Sequence, residues 1–148
     1  MTLATNVAAR LVQDTQIASY TSNRVYDHDI RLDGPDAHPE VRGPYGFVLP
    51  HIVVDDGGGL KSPFGPPVAM LDTMRIWIFA ENSATGRTAI EELTNRVYIR
   101  LHRWQDANTK AVLMFANRTG FVADPPPGTG ALESLTYSAA RTMIGVTA

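Results

Sequence analysis

The chain reads as an α+β fold: a mixed, mostly antiparallel sheet of about four to five strands, two helices packed on one face, and long loops between elements. Three observations lead there. Apolar residues recur at helical spacing in two places, Leu3, Val7 and Leu11 near the start and Ile90, Leu93, Val97, Leu101 and Trp104 within TAIEELTNRVYIRLHRW. The run Val68 to Ala80 alternates, with Met70, Met74, Ile76 and Ile78 on one face and Leu71, Thr73, Arg75, Trp77 and Phe79 on the other. The elements follow the order helix, strand, strand, strand, helix, strand, strand, with connections longer than hairpin turns require.

Taken in order, the first helix is expected over about residues 4 to 13, capped by Thr5 or Asn6. Asp14 then starts a further turn, DTQIASY, which turns Ile17 and Tyr20 toward the same core and ends at Ser22-Asn23. Arg24 to Tyr26 begins a strand. Phe47 to Val54 is a β-branched run, but Pro50 has no N–H to donate, so this strand either lies at an edge or begins at His51. After the strand at 68 to 80, Gly86 and Thr88 open the main helix, whose apolar stripe is about 60° wide. Lys110 to Ala116 and Leu132 to Val146 alternate loosely as strands. Residues 33 to 46, 55 to 67 and 120 to 131 are loops by composition, rich in Gly, Pro and charge. Loops of that length usually bind something.

At 148 residues the chain has the size of one domain, spanning residues 1–148. No run approaches the roughly 18 apolar residues of a membrane span. Asn6, Arg10 and Asp14 interrupt the N-terminus where a signal peptide would be continuously apolar, so a chain kept inside a cell or particle is expected. There is no cysteine, which removes thiol nucleophiles, zinc-thiolate sites and disulfides together. A net charge of −2 argues against general phosphate binding. Apart from Lys61 and Lys110 the basic residues are all Arg, whose planar fork suits protein interfaces, although Arg codons of a GC-rich genome account for the bias equally well.

Candidate chemistry is sparse. Asp27-His28-Asp29, His51 and Asp55-Asp56 include metal-ligand types, but no spaced pair of His defines a site, so no cofactor and indifference to chelators are expected. Gly57-Gly58-Gly59 near Lys61-Ser62 lacks the GxxxxGK[ST] order of a phosphate loop and runs into Pro63, Gly65, Pro66 and Pro67. No Ser lies in a GxSxG elbow, and catalytic residues are not assigned.

The stretch RLVQDTQIASYTSNRVYDHDI, the later FVLPHIVVDDGGG and the strand MLDTMRIWIFAENS, followed by a Gly-Arg turn, a helix and two strands, together resemble the tail terminator or tail completion proteins of long-tailed bacteriophages. The likeness spans nearly the whole chain, in element order and short motifs. It implies a structural virion protein without enzymatic activity, a homo-oligomeric ring, expected to be a hexamer, that caps the tail tube and joins the tail to the head connector. The tail tube protein and the neck proteins are the implied partners, DNA passes the lumen without specific binding, and assembly takes place in the bacterial host cytoplasm. A head-completion or neck adaptor protein is the alternative within that class, and a small cytosolic α+β ligand-binding or enzymatic domain the alternative outside it. In a ring, Glu92, Arg96, Arg100 and Arg103 along one flank of the main helix would meet acidic loop residues such as Asp55, Asp56 or Asp36 of a neighbour. The plainer reading of that flank is a solvated face with a Glu92–Arg96 pair. Phe64, with Lys61 nearby, is the expected anchor of the second loop.

Overall fold

A computed structural model describes residues 2–61, 69–123 and 130–142. Helix α1 (Leu3–Val12) starts one turn earlier than the expected cap, because the Thr2 hydroxyl accepts from the Thr5 N–H at 3.1 Å. Its buried side chains, Leu3, Ala4, Val7, Ala8 and Leu11, form one stripe. Helix α2 (Thr15–Thr21) is capped by Asp14, as its sequence implies, and stops where Ser22 and Asn23 enter positive φ. Helix α3 (Ala84–Leu101) also begins earlier than expected. Ser83 is its cap, accepting from the Gly86 N–H at 3.0 Å, so Gly86 belongs to the first turn instead of preceding it.

Six described strands form one sheet: β1 (Val25–Tyr26), β2 (His51–Lys61), β3 (Ala69–Glu81), β4 (Val112–Arg118), β5 (Val122–Ala123) and β6 (Gly130–Thr142). Their order is β1-β2-β3-β6-β4, with β5 also paired to β6. Only β1–β2 is parallel among these pairings, so the sheet is mixed and mostly antiparallel. The second strand begins at His51, which leaves Pro50 outside the ladder.

Two of the three expected loops are shorter than composition implied. Strand β2 continues through Asp55, Asp56 and the glycines to Lys61, in antiparallel register with β3 and with one irregularity between Asp56 and Gly59. The irregularity takes up the extra glycines, and pairing satisfies a backbone that offers no side chain to pack. Strand β5 likewise claims Val122 and Ala123 by pairing them with Leu132 and Ala131.

The three helices cover one face. Ile52 and Val54 of β2, Met74, Ile76, Ile78 and Ala80 of β3, and Leu135 and Tyr137 of β6 are buried there beneath Leu11, Ile17, Ile90, Leu93, Val97 and Leu101. Glu133 shares that face, held by the Thr94 hydroxyl at 3.1 Å and paired with Arg118 at 2.5 Å.

Asp14 ties the helices together. It is fully buried; one of its oxygens caps α2, and the other receives Arg96 and Arg100 of α3 at 2.5 to 3.1 Å. Burial by itself would raise this carboxyl, but the two guanidinium groups and the Ile17 N–H outweigh it and hold the group well below the usual carboxylate range.

Candidate functional site

The alternation of β2 and β3 that buries one face under helices turns His51, Val53, Asp55, Arg75, Trp77 and Phe79 to the other. No described helix covers that side. The irregular segment from Asp29 to Val48 runs across part of it instead, in short 3-10 turns at Ile30–Asp33, Pro39–Val41 and Pro44–Gly46. Between segment and sheet lies a cleft of about 340 Å³ whose floor and walls include Ile30, Val41, Val48, Val53, Trp77 and Phe79. Arg31, Arg42, Asp29 and Asp55 line it as well.

His51 is the polar group of the cleft floor. It is buried, its ring stacks on Phe79 with centroids 4.8 Å apart, and its Nδ1 lies 2.8 Å from the Leu49 carbonyl oxygen. Burial, reinforced by Arg24 and Arg42, lowers its pKa to about 4, so the ring is neutral at physiological pH.

Beside the cleft, the segment folds a chain of alternating carboxylates and imidazoles. His28 Nδ1 lies 2.9 Å from Asp27 Oδ1, and its Nε2 lies 2.6 Å from Asp33 Oδ2. His38 Nε2 approaches the same Asp33 oxygen at 2.6 Å, while its Nδ1 lies 2.9 Å from Glu40 Oε1. The Tyr26 hydroxyl donates to Glu40 at 2.9 Å and the Thr5 hydroxyl to Asp27 at 2.9 Å. These bonds raise both imidazoles above the ordinary His value and lower the carboxylates, Glu40 to about 2 through His38 first and then backbone and Tyr26 bonds. Burial, then Glu40, raises Tyr26 to about 12. One atom each of His28, Asp33 and His38 lie within 4.8 Å of one another, a spacing open to a metal ion. No sequence periodicity marks this group, since its members are five residues apart on irregular backbone.

The residues singled out as ring contacts scatter. Glu92 is exposed on α3, but Arg96 reaches Asp14 and not Glu92, and Arg100 shares that partner. Arg103 leaves the flank altogether, because α3 ends at Leu101 and Arg103 sits at positive φ with its N–H bonded to the Leu113 carbonyl. Asp55 lies in β2 beside the cleft opposite Arg75, and Asp56, also in β2, is exposed. Lys61 closes β2 opposite Met70, and Phe64 lies outside the described residues.

Other exposed apolar side chains were not anticipated: Leu32, Tyr45 and Phe47 on the irregular segment, Tyr98 and Ile99 on α3, Met114 on β4 and Val122 on β5. Tyr98 and Ile99 fall outside the helix stripe that packs on the sheet, which is the one sequence signal that marks them.

No family model and no curated protein sequence matches the chain. The fold, however, has a solved counterpart. The chain is similar in structure to a chain of the virion of a native gene transfer agent particle, with a TM-score of 0.61, 16% sequence identity, and coverage of 93% of this chain and 92% of that one. At that identity the likeness establishes the shared architecture, end to end on both sides.

Proposed function

We propose that this chain is a structural subunit of a phage-like virion, a tail terminator that assembles into a ring at the end of the tail tube and carries out no covalent chemistry. The observation that carries the reading is the near-complete mutual coverage with a chain of a gene transfer agent virion. A whole-chain match of that kind is what a single-domain virion part shows, and the element order of the sequence points to the same class independently.

Ring formation needs one patch of the subunit to meet a different patch of its neighbour. The sheet offers two such edges. On one side β1 pairs only with Ile52 and Val53, so no described strand lies beyond the outer half of β2; on the other, β4 is the last strand in the order. The outer half of β2 carries Asp55, Asp56 and Lys61, and Phe64 follows it. Glu92, Arg103 and the partly exposed guanidinium groups of Arg96 and Arg100 supply complementary charge from the helical side. The ring would present one face to the last tube ring and lack a tube-like edge on the other, so that polymerisation stops and the head connector docks. With a net charge of −2, its lumen would let DNA pass without holding it.

Native mass measurement of the purified protein, alone and mixed with its tube protein, tests the reading. A closed ring of about six copies that binds tube ends is expected. A ring that binds the connector and ignores the tube would reassign the protein to the neck. A monomer at every concentration, with and without either partner, would overturn the virion reading.

A further inference from the structure

We propose that His28, Asp33 and His38 form a binding site for a single divalent zinc-class cation that pins the segment between β1 and β2. The inference stands on the local geometry and is independent of the virion reading.

Both imidazole Nε2 atoms lie 2.6 Å from Asp33 Oδ2, and one ligand atom from each of the three residues lies within 4.8 Å of the others. Two neutral nitrogens and one oxygen form a donor set that suits zinc and its neighbours better than calcium or magnesium, which take oxygen ligands. The surroundings match what such ligands need. A ligating imidazole binds through one nitrogen while the other donates to a carboxylate, which fixes ring orientation and raises basicity. Both imidazoles have that partner: Asp27 lies 2.9 Å from Nδ1 of His28 and Glu40 lies 2.9 Å from Nδ1 of His38. The two outer carboxylates are held in turn by the Thr5 and Tyr26 hydroxyls.

Proton bookkeeping points the same way. Each of the four ring nitrogens faces a carboxylate oxygen, and a neutral imidazole has a proton on one nitrogen alone. With protons only, either both rings are charged or one of the facing carboxyls is protonated. A dication in place of the two Nε2 protons satisfies it with neutral rings and leaves the net charge of the cluster unchanged.

The fit requires the three ligands to shift. Bonds of about 2.1 Å in a tetrahedron put ligand atoms about 3.4 Å apart. Asp33 Oδ2 now lies 2.6 Å from each Nε2, so its partly exposed carboxylate must swing back by about 1 Å or less, while the two imidazole nitrogens, within 4.8 Å of each other, must close by up to about 1.4 Å. His28 and Asp33 are exposed, so water can complete the coordination. Bound there, the ion would close residues 28–38 into a loop beside the cleft and present the exposed Leu32 in one position.

The test is titration of Zn²⁺ into chelator-treated protein, read by calorimetry and by native mass spectrometry. One ion per chain with a dissociation constant below about 10 μM is expected, with no comparable binding of Mg²⁺ or Ca²⁺. His28→Ala combined with His38→Ala should weaken it at least 100-fold, and Asp27→Asn or Glu40→Gln by about 10- to 100-fold. His102→Gln should leave it unchanged, since that imidazole is not one of the clustered ligands and accepts from the Phe115 N–H. Zn²⁺ should also slow proteolysis within residues 30–46 of the native chain and not of the double variant. If the double variant fails to fold, Asp33→Asn replaces it. Binding weaker than about 10 μM, or binding that survives loss of the ligands, would overturn the site.

Discussion

Gly86 occupies a position that no other residue fits, because a Cβ there would come within 1.9 Å of the Glu81 carbonyl oxygen. The obstacle is backbone, so either the start of α3 or the end of β3 must shift. Gly86→Ala should therefore cost about 2 to 3 kcal/mol in chemical denaturation, where an open helical position would gain from the same change. A loss under about 0.5 kcal/mol would show that the turn relaxes freely. His51 sets a pH dependence. Its pKa falls from 6.5 to about 4 on folding, so between those values the unfolded chain binds more protons and stability is lost as pH drops. His51→Phe keeps an aromatic ring against Phe79 and removes that titration. Its stability relative to the native chain should therefore rise as pH is lowered from 6.5 toward 4; a constant difference across that range would mean that His51 titrates normally.

At the scale of elements, Asp14 joins α2 to α3, and the consequences of cutting that link depend on which side is cut. Removing both Arg96 and Arg100 leaves a fully buried carboxylate with its helix-cap bonds alone, at a cost of about 3 to 5 kcal/mol near neutral pH. In the native chain the depressed Asp14 pKa means that its contribution is present above the ordinary carboxylate range and lost as pH falls through the folded value. In Arg96→Ala combined with Arg100→Ala the difference from the native chain should shrink on acidification, because the carboxyl left without its guanidinium partners takes up a proton at higher pH than in the native chain; urea midpoints at pH 7 and at pH 3 measure it. The β2–β3 hairpin carries a separate expectation. Phe64→Ser should leave the melting temperature of the isolated subunit unchanged and weaken assembly by about 1 to 2 kcal/mol, as for a side chain used against a partner. Lower stability with normal assembly of the folded fraction would assign Phe64 to its own sheet.

For the whole molecule, charge and shape bear on how it meets DNA. A net charge of −2, with Arg96 and Arg100 already engaged by Asp14 and Arg118 by Glu133, leaves little to neutralise a row of phosphates. No measurable complex with duplex DNA is expected at micromolar protein in about 0.15 M salt. Submicromolar binding with a steep salt dependence would instead place a run of Arg on one surface of the assembled particle. The apolar cleft and the exposed Leu32, Tyr45 and Phe47 lie on or beside the same irregular segment, which makes the side of the sheet away from the helices the natural place for a protein partner.

The α+β class, the helix stripes as far as Leu101, the start of β2 at His51 as one of the two readings that Pro50 allowed, and the cap of α2 were legible in the sequence, because each depends on local chemistry: spacing of apolar residues, a proline without a donor, an aspartate before a helical turn; Trp104 instead lies beyond the end of α3. The ends of α1 and α3 were not, since competing caps at Thr2 and Thr5, or at Ser83 and Gly86, differ in sequence by nothing that composition registers. Nor was the continuation of β2 through three glycines, whose backbone becomes a strand through its pairing with β3. The same holds for the groups that matter most. The flank from Glu92 to Arg103 read as a surface stripe because a helical wheel cannot see Asp14, 82 residues from Arg96 in sequence and in contact with it in space. His28, Asp33 and His38 follow no period of helix or strand, and their approach depends on the path of an irregular backbone, which no spacing rule of helix or strand describes.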